Sequence, residues 1–98
     1  MLNLKNTYEA LLEDLEAKIK ELSTKTPADK YLVVDINNVF VKSYQHKESN
    51  LVIFYGVDVN NVEEPAVVAC HPSQINARIT YINKSATKAK KIGFGVSE

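Results

Sequence analysis

The chain has 98 residues, enough for one domain and one modest core, since a chain of this length buries roughly 60–65% of the surface its unfolded form exposes. Its 45% apolar and 24% charged content is that of an ordinary globular protein, which excludes wholesale disorder. Twelve basic residues balance twelve acidic ones, which speaks against a protein that coats long nucleic acid. The lone cysteine, Cys70, excludes an intrachain disulfide and a cysteine-rich metal site and suits a reducing cytoplasm. No basic-then-apolar leader and no apolar run of membrane-spanning length is present, so a cytoplasmic location is expected.

Read in chain order, Leu4, Tyr8, Leu11, Leu12, Leu15, Ile19 and Leu22 recur at steps of three and four. This predicts a helix over about 4–23, with Asn6 or Thr7 as N-cap, ending near Ser23 because Pro27 disfavours continuation. Its apolar stripe packs on the chain's own sheet, and part of it is wide enough to meet a second copy.

From Lys30 the period changes to two. Leu32, Val34 and Ile36 alternate with Tyr31, Val33 and Asp35, and Val39 and Val41 follow Asn37-Asn38, a pair that tolerates positive φ; this reads as a hairpin. Further strands are expected over Leu51 to Val57, Ala66 to His71 and Ile75 to Asn83, with a polar break at 46–50, a loop at 58–64 and Pro72-Ser73 as a breaker. The basic tail, 84–98, reads as loop, with 92–96 able to dock as a short extension. The fold class is therefore α+β: a single domain, 1–98, with a long N-terminal helix packed on an antiparallel meander sheet of about five strands spanning about 30–83. One helix covers five strands poorly, which argues for self-association as a homo-oligomer.

Catalytic groups are sparse. His46 lies in a charged loop, His71 ends a strand, Cys70 reads as a buried thiol, and Glu63-Glu64 reads as a solvated loop. No nucleophile-elbow, zincin or redox-dithiol motif occurs, and neighbouring Cys70 and His71 would point to opposite faces of a strand, so neither an enzyme, a metal site nor a cofactor is expected. Two features suit binding instead. Gln74, Asn76, Arg78 and Thr80 alternate along the expected fifth strand and would form a hydrogen-bonding ridge around the chain's only arginine. Lys88, Lys90 and Lys91 precede Ile92-Gly93-Phe94-Gly95, which combines charge, approachable backbone and an aromatic. Aromatics elsewhere, including Tyr44, Phe54, Tyr55 and Tyr81, are candidates to stack on a base. These point to a small phosphorylated ligand more than to a polymer.

The segments SYQHKESNLVIFYGVDVNN, HPSQIN and KKIGF together resemble the phage Thoeris anti-defence sponge family, over roughly Asn6 to Phe94. Its members share a helical N-terminus, an F-Y-G-type strand end, an H-x-S-Q segment and a closing basic-basic-I-G-F. The resemblance implies non-catalytic sequestration of a cyclic nucleotide immune signal, a cyclic ADP-ribose isomer or cyclic oligonucleotide, by an oligomer in the host cytoplasm. It implies ligand contacts at His71, Ser73, Gln74 and Asn76 and at Lys90, Lys91 and Phe94, beside Arg78, Phe54 and Tyr55. Lysines stand where the family pattern has arginines, which keeps charge, loses the bidentate fork and leaves the ligand open. The alternative is a small protein inhibitor of a host defence enzyme, working through the helix stripe and a sheet edge. A hydrolase of the same nucleotide would need His71 as base, with no second group placed to help it.

Overall fold

The computed structural model describes residues 7–47 and 50–97. The α+β class is as expected: helix α1 (Thr7–Thr24) precedes strands β1 (Lys30–Ile36), β2 (Val39–Lys47), β3 (Leu51–Asp58), β4 (Pro65–Cys70) and β5 (Ala77–Asn83), and a one-turn helix α2 (Ala89–Ile92) follows. The expected N-cap Asn6 and the apolar Leu4 lie outside the described residues.

Sheet order is β4-β3-β2-β1-β5, and every registered neighbour is antiparallel. The first four strands follow meander order. The fifth departs from it: β5 does not fold back on β4 but crosses to the opposite edge and pairs along the whole of β1, from Lys30↔Asn83 to Ile36↔Ala77. The reason lies at Asn37. Asn37 and Asn38 both hold positive φ, 50° and 68°, as a two-residue type I′ turn requires. Asn37 then hooks the crossover: its Nδ2 donates to the Gln74 carbonyl at 3.1 Å, its Oδ1 accepts the Asn76 N–H at 2.9 Å, and its own N–H donates to the Asn76 carbonyl at 3.2 Å. Ala77 is thereby delivered opposite Ile36.

The β1–β2 ladder is short, with Asp35↔Phe40 and Ile36↔Val39 as its registered pairs, because β2 swings away to β3 through a bulge between Val41 and Ser43. The C-terminal segment fills the opening. The Phe94 N–H donates to the Leu32 carbonyl at 2.8 Å and the Gly95 N–H to the Lys42 carbonyl at 3.2 Å, so the tail docks as the short extension expected for 92–96. This satisfies two strand carbonyls that the splayed hairpin would leave unpaired.

The core is built from Leu12 and Ile19 of α1 and from the inward residues of the sheet, among them Val34, Ile36, Val41, Val52 and Phe54. Leu15, Leu22, Tyr44 and Phe94 pack around it half-buried. The helix stripe therefore meets the chain's own sheet, with Leu11 left exposed. No helix among the described residues is long and apolar enough to cross a membrane.

Candidate ligand groove

The H-x-S-Q segment folds locally. Pro72–Gln74 form one 3₁₀ turn closed by a reciprocal capping box. His71 Nδ1 accepts the Ser73 backbone N–H at 3.2 Å and lies 2.7 Å from Ser73 Oγ, while Gln74 Oε1 accepts the His71 N–H at 3.3 Å. This corrects the expected fifth strand, which begins at Ala77 rather than Ile75. Gln74 sits in the turn and Asn76 in the crossover, so neither joins a ridge with Arg78. The Ile75 N–H is spent on the Pro72 carbonyl and the Asn76 N–H on Asn37 Oδ1, so the strand starts only at Ala77.

The basic tail is also engaged. Lys88 and Lys91 reach the Glu63 carboxylate at 3.0 and 3.2 Å, tying α2 to the 58–64 loop. Both lysines, Lys88 foremost, hold the Glu63 carboxyl below the usual carboxylate range. Glu63 is thus an ion-pair anchor rather than an idle loop residue. Lys90 is exposed, and its carbonyl accepts from Lys42 Nζ. Phe94 packs on the core, and Gly93 lies so close to Tyr31 that a Cβ there would stand 3.2 Å from the tyrosine Cβ.

The aromatic candidates separate as well. Phe54 is 1% exposed, its ring centroid 6.2 Å from that of Tyr44, and offers no face to a base. Burial, then a hydrogen bond to Glu16, pushes the Tyr44 phenol up to about 12. Tyr55 is exposed on β3, two strands away from β1, where its hydroxyl donates to Gln45 Oε1 at 3.2 Å. Tyr81 turns toward the helix and donates to the Leu22 carbonyl at 3.3 Å. Cys70 is buried, which pushes its thiol up, and accepts a 3.7 Å contact from Asn37 Nδ2. His46 is exposed near the end of β2.

Arg78 lines a groove between β1 and β5 together with Thr80 and Tyr81, whereas Lys90 and Lys91 line a separate one beside α2. The outward faces of β1 and β5 enclose about 280 Å³, walled by Val33, Asp35, Phe40, Arg78, Thr80 and Ile82. Val59 and Ile92 bring the loop and the tail onto its rim. Val33, which alternates with the core residues Leu32 and Val34, is also only 4% exposed. The groove thus has an apolar floor, a half-buried ring in Phe40, and polar groups from Asp35, Arg78 and Thr80.

Asp35 and Arg78 are direct cross-strand partners. Side chains at such positions share a face, with Cβ atoms about 4.5–5.5 Å apart. Yet among the described residues neither side chain has a hydrogen-bond or ion-pair partner. Two opposite charges therefore stand on one face at the groove, Arg78 exposed and Asp35 half-buried, without an ion pair between them.

Asp35 and Phe40 were not among the candidate residues from sequence. Asp35 read as one member of an alternating strand, and Phe40 lies on the side of the next strand opposite Val39 and Val41. The β1–β2 pairing sets Phe40 beside Asp35, and only the β1–β5 pairing, anchored by the bonds of Asn37 to residues 74 and 76, sets Arg78 there. No family model, characterised protein or solved structure matches the chain.

Proposed function

We propose that this protein captures a small phosphorylated nucleotide in the groove between β1 and β5 and holds it without altering it. A cyclic nucleotide signal of the kind sequestered by anti-defence sponges is the ligand class this reading favours. The observation that carries it is Arg78: a guanidinium without a partner among the described residues, above an apolar floor and beside a half-buried aromatic. A planar five-donor fork suits a phosphate, and Phe40 supplies a surface for a base. The non-catalytic part is supported by how the reactive side chains are used. His71 is committed to a backbone cap, and Cys70 is buried.

A cavity of about 280 Å³ is at the small end for a ligand site and suits one nucleotide unit better than a whole cyclic dinucleotide. A larger ligand would leave part of itself outside one chain, which favours capture by an assembly of copies. The outward face of β3 and β4 offers a surface for that assembly, with Leu51, Tyr55 and Val67 exposed and Val67 60% accessible.

Isothermal titration with cyclic ADP-ribose isomers and with cyclic di- and trinucleotides tests the reading. We expect binding by the native protein, a loss of about ten- to a hundredfold in Arg78→Ala, and recovery of the intact ligand by mass spectrometry after heating the complex. Absence of heat with every member of the panel sinks the proposal.

The same β3–β4 surface favours a second reading, a small inhibitor that occupies a host defence enzyme. Val67 lies on β4, an edge strand whose residues 65–70 carry no charge to discourage pairing with a foreign strand. A stoichiometric protein partner recovered from a lysate, with no small molecule co-eluting, selects this reading over the first.

A further inference from the structure

Asp35 is an awkward neighbour for an anion site. A phosphate placed on Arg78 alone would sit within reach of an unneutralised carboxylate, and the repulsion would offset part of the attraction. A ligand escapes this penalty only if it brings hydrogen-bond donors to Asp35 at the same time as negative charge to Arg78. Asp35 is half-buried and has no partner among the described residues, so its carboxylate can accept a hydrogen bond from a ligand in the groove. The two side chains start from cross-strand positions, so the ligand's donor and its anionic group must be close neighbours.

A purine amino edge lies far from the phosphate of the same nucleotide, beyond the ribose. A ribose 2′-hydroxyl lies next to a 3′-phosphate. It is a donor, it is neutral, and it marks a ribonucleotide against a deoxyribonucleotide. We infer that Asp35 is a specificity residue that accepts a hydrogen bond from the ribose 2′-hydroxyl beside the phosphate on Arg78, making the groove selective for ribonucleotides. Phe40 and Val33 form an apolar floor on which the attached base can lie. The inference rests on the groove being the nucleotide site.

The test uses the full chain and three ribonucleotide probes, cyclic di-AMP, cyclic di-GMP and 3′-AMP, each titrated against its 2′-deoxy counterpart. Asp35→Ala, Asp35→Asn and Arg78→Ala are compared with the native protein, with circular dichroism to confirm that each variant folds. For at least one probe, the native protein is expected to prefer the ribo form by about tenfold or more, because the deoxy form leaves Asp35 unsatisfied beside the phosphate. In Asp35→Ala the preference falls to about unity, and the deoxy form and inorganic phosphate bind more tightly than they do to the native protein. Asp35→Asn keeps an acceptor and retains part of the preference, which a merely structural role would not produce. Arg78→Ala weakens both forms together.

Equal binding of ribo and deoxy forms, with Arg78→Ala still abolishing both, overturns the role of Asp35 and leaves the groove reading intact. Binding that is indifferent to Arg78→Ala, or no binding by any probe or by the cyclic ADP-ribose isomers, overturns the groove reading and this inference with it.

Discussion

Asn37 decides where the fifth strand goes. Its backbone takes the positive φ of a tight turn, and its side chain closes two hydrogen bonds to residues 74 and 76. Asn37→Gly keeps the turn conformation and removes only the side chain, so it isolates the hook. With each hydrogen bond worth about 1 kcal/mol, we expect Asn37→Gly to cost about 2 kcal/mol in urea denaturation, and Asn37→Ala more, because alanine resists the positive φ as well. Gly56 is the second position where a single atom matters. A Cβ there would fall 1.8 Å from the Phe40 carbonyl oxygen, backbone that has no room to yield at the bulge of β2. Gly56→Ala is expected to destabilise by about 3 kcal/mol or more, beyond the usual range for a surface change and measurable as a drop in Tm. The distortion reaches the groove, because Phe40 is part of its wall.

Among the elements, the C-terminal segment is the one whose role differs most from its composition. Its lysines read as a solvated basic tail, but two of them clasp Glu63, and the segment beyond them completes the sheet between β1 and β2. Because Lys88 and Lys91 lower the Glu63 carboxyl below its usual range, the folded protein holds that proton less tightly than the unfolded chain does. The ion pairs therefore contribute above the ordinary carboxylate range, and the contribution is lost as pH falls through the lowered native value. Glu63→Gln should speed hydrogen exchange at the Phe94 and Gly95 amides at neutral pH. The difference from the native protein should shrink in high salt and vanish once pH lies below the lowered native value, where Glu63 is protonated in both states. The effect is small, because the pair is exposed.

At the scale of the whole molecule, α1, the 3₁₀ turn and the tail all help to cover a sheet that one helix alone would not. The outward face of β3–β4 is the exception. There Tyr55 and Val67 are registered cross-strand partners, and both are exposed. If copies assemble through this face, the native protein sediments above its 11.0 kDa chain mass and Val67→Glu shifts it to the monomer, since like charges would then face each other across a two-fold interface. Sedimentation of both proteins at the monomer mass, each with native circular dichroism, removes this face as an assembly surface.

Local signals were enough for most of the elements. Helical spacing in Leu11 to Leu22 placed α1, alternation in Tyr31 to Ile36 placed β1, and Asn37-Asn38 placed the turn, because each depends on residues within a few positions of one another. Arg78 was legible as the lone guanidinium on a strand with outward polar residues, and with Thr80 it lines the groove. His71, Ser73 and Gln74 have the chemistry of a site and the spacing of a cap, and sequence does not separate the two uses. The partner of β5, the clasp between Glu63 and the tail, the burial of Phe54 and Phe94, and the meeting of Asp35 with Arg78 all join residues far apart in the chain. Such contacts carry no local periodicity, so only the closed tertiary structure decides them. Sequence thus determined a helix followed by strands and a chain poor in catalytic groups, while the groove exists because β5 crosses to β1.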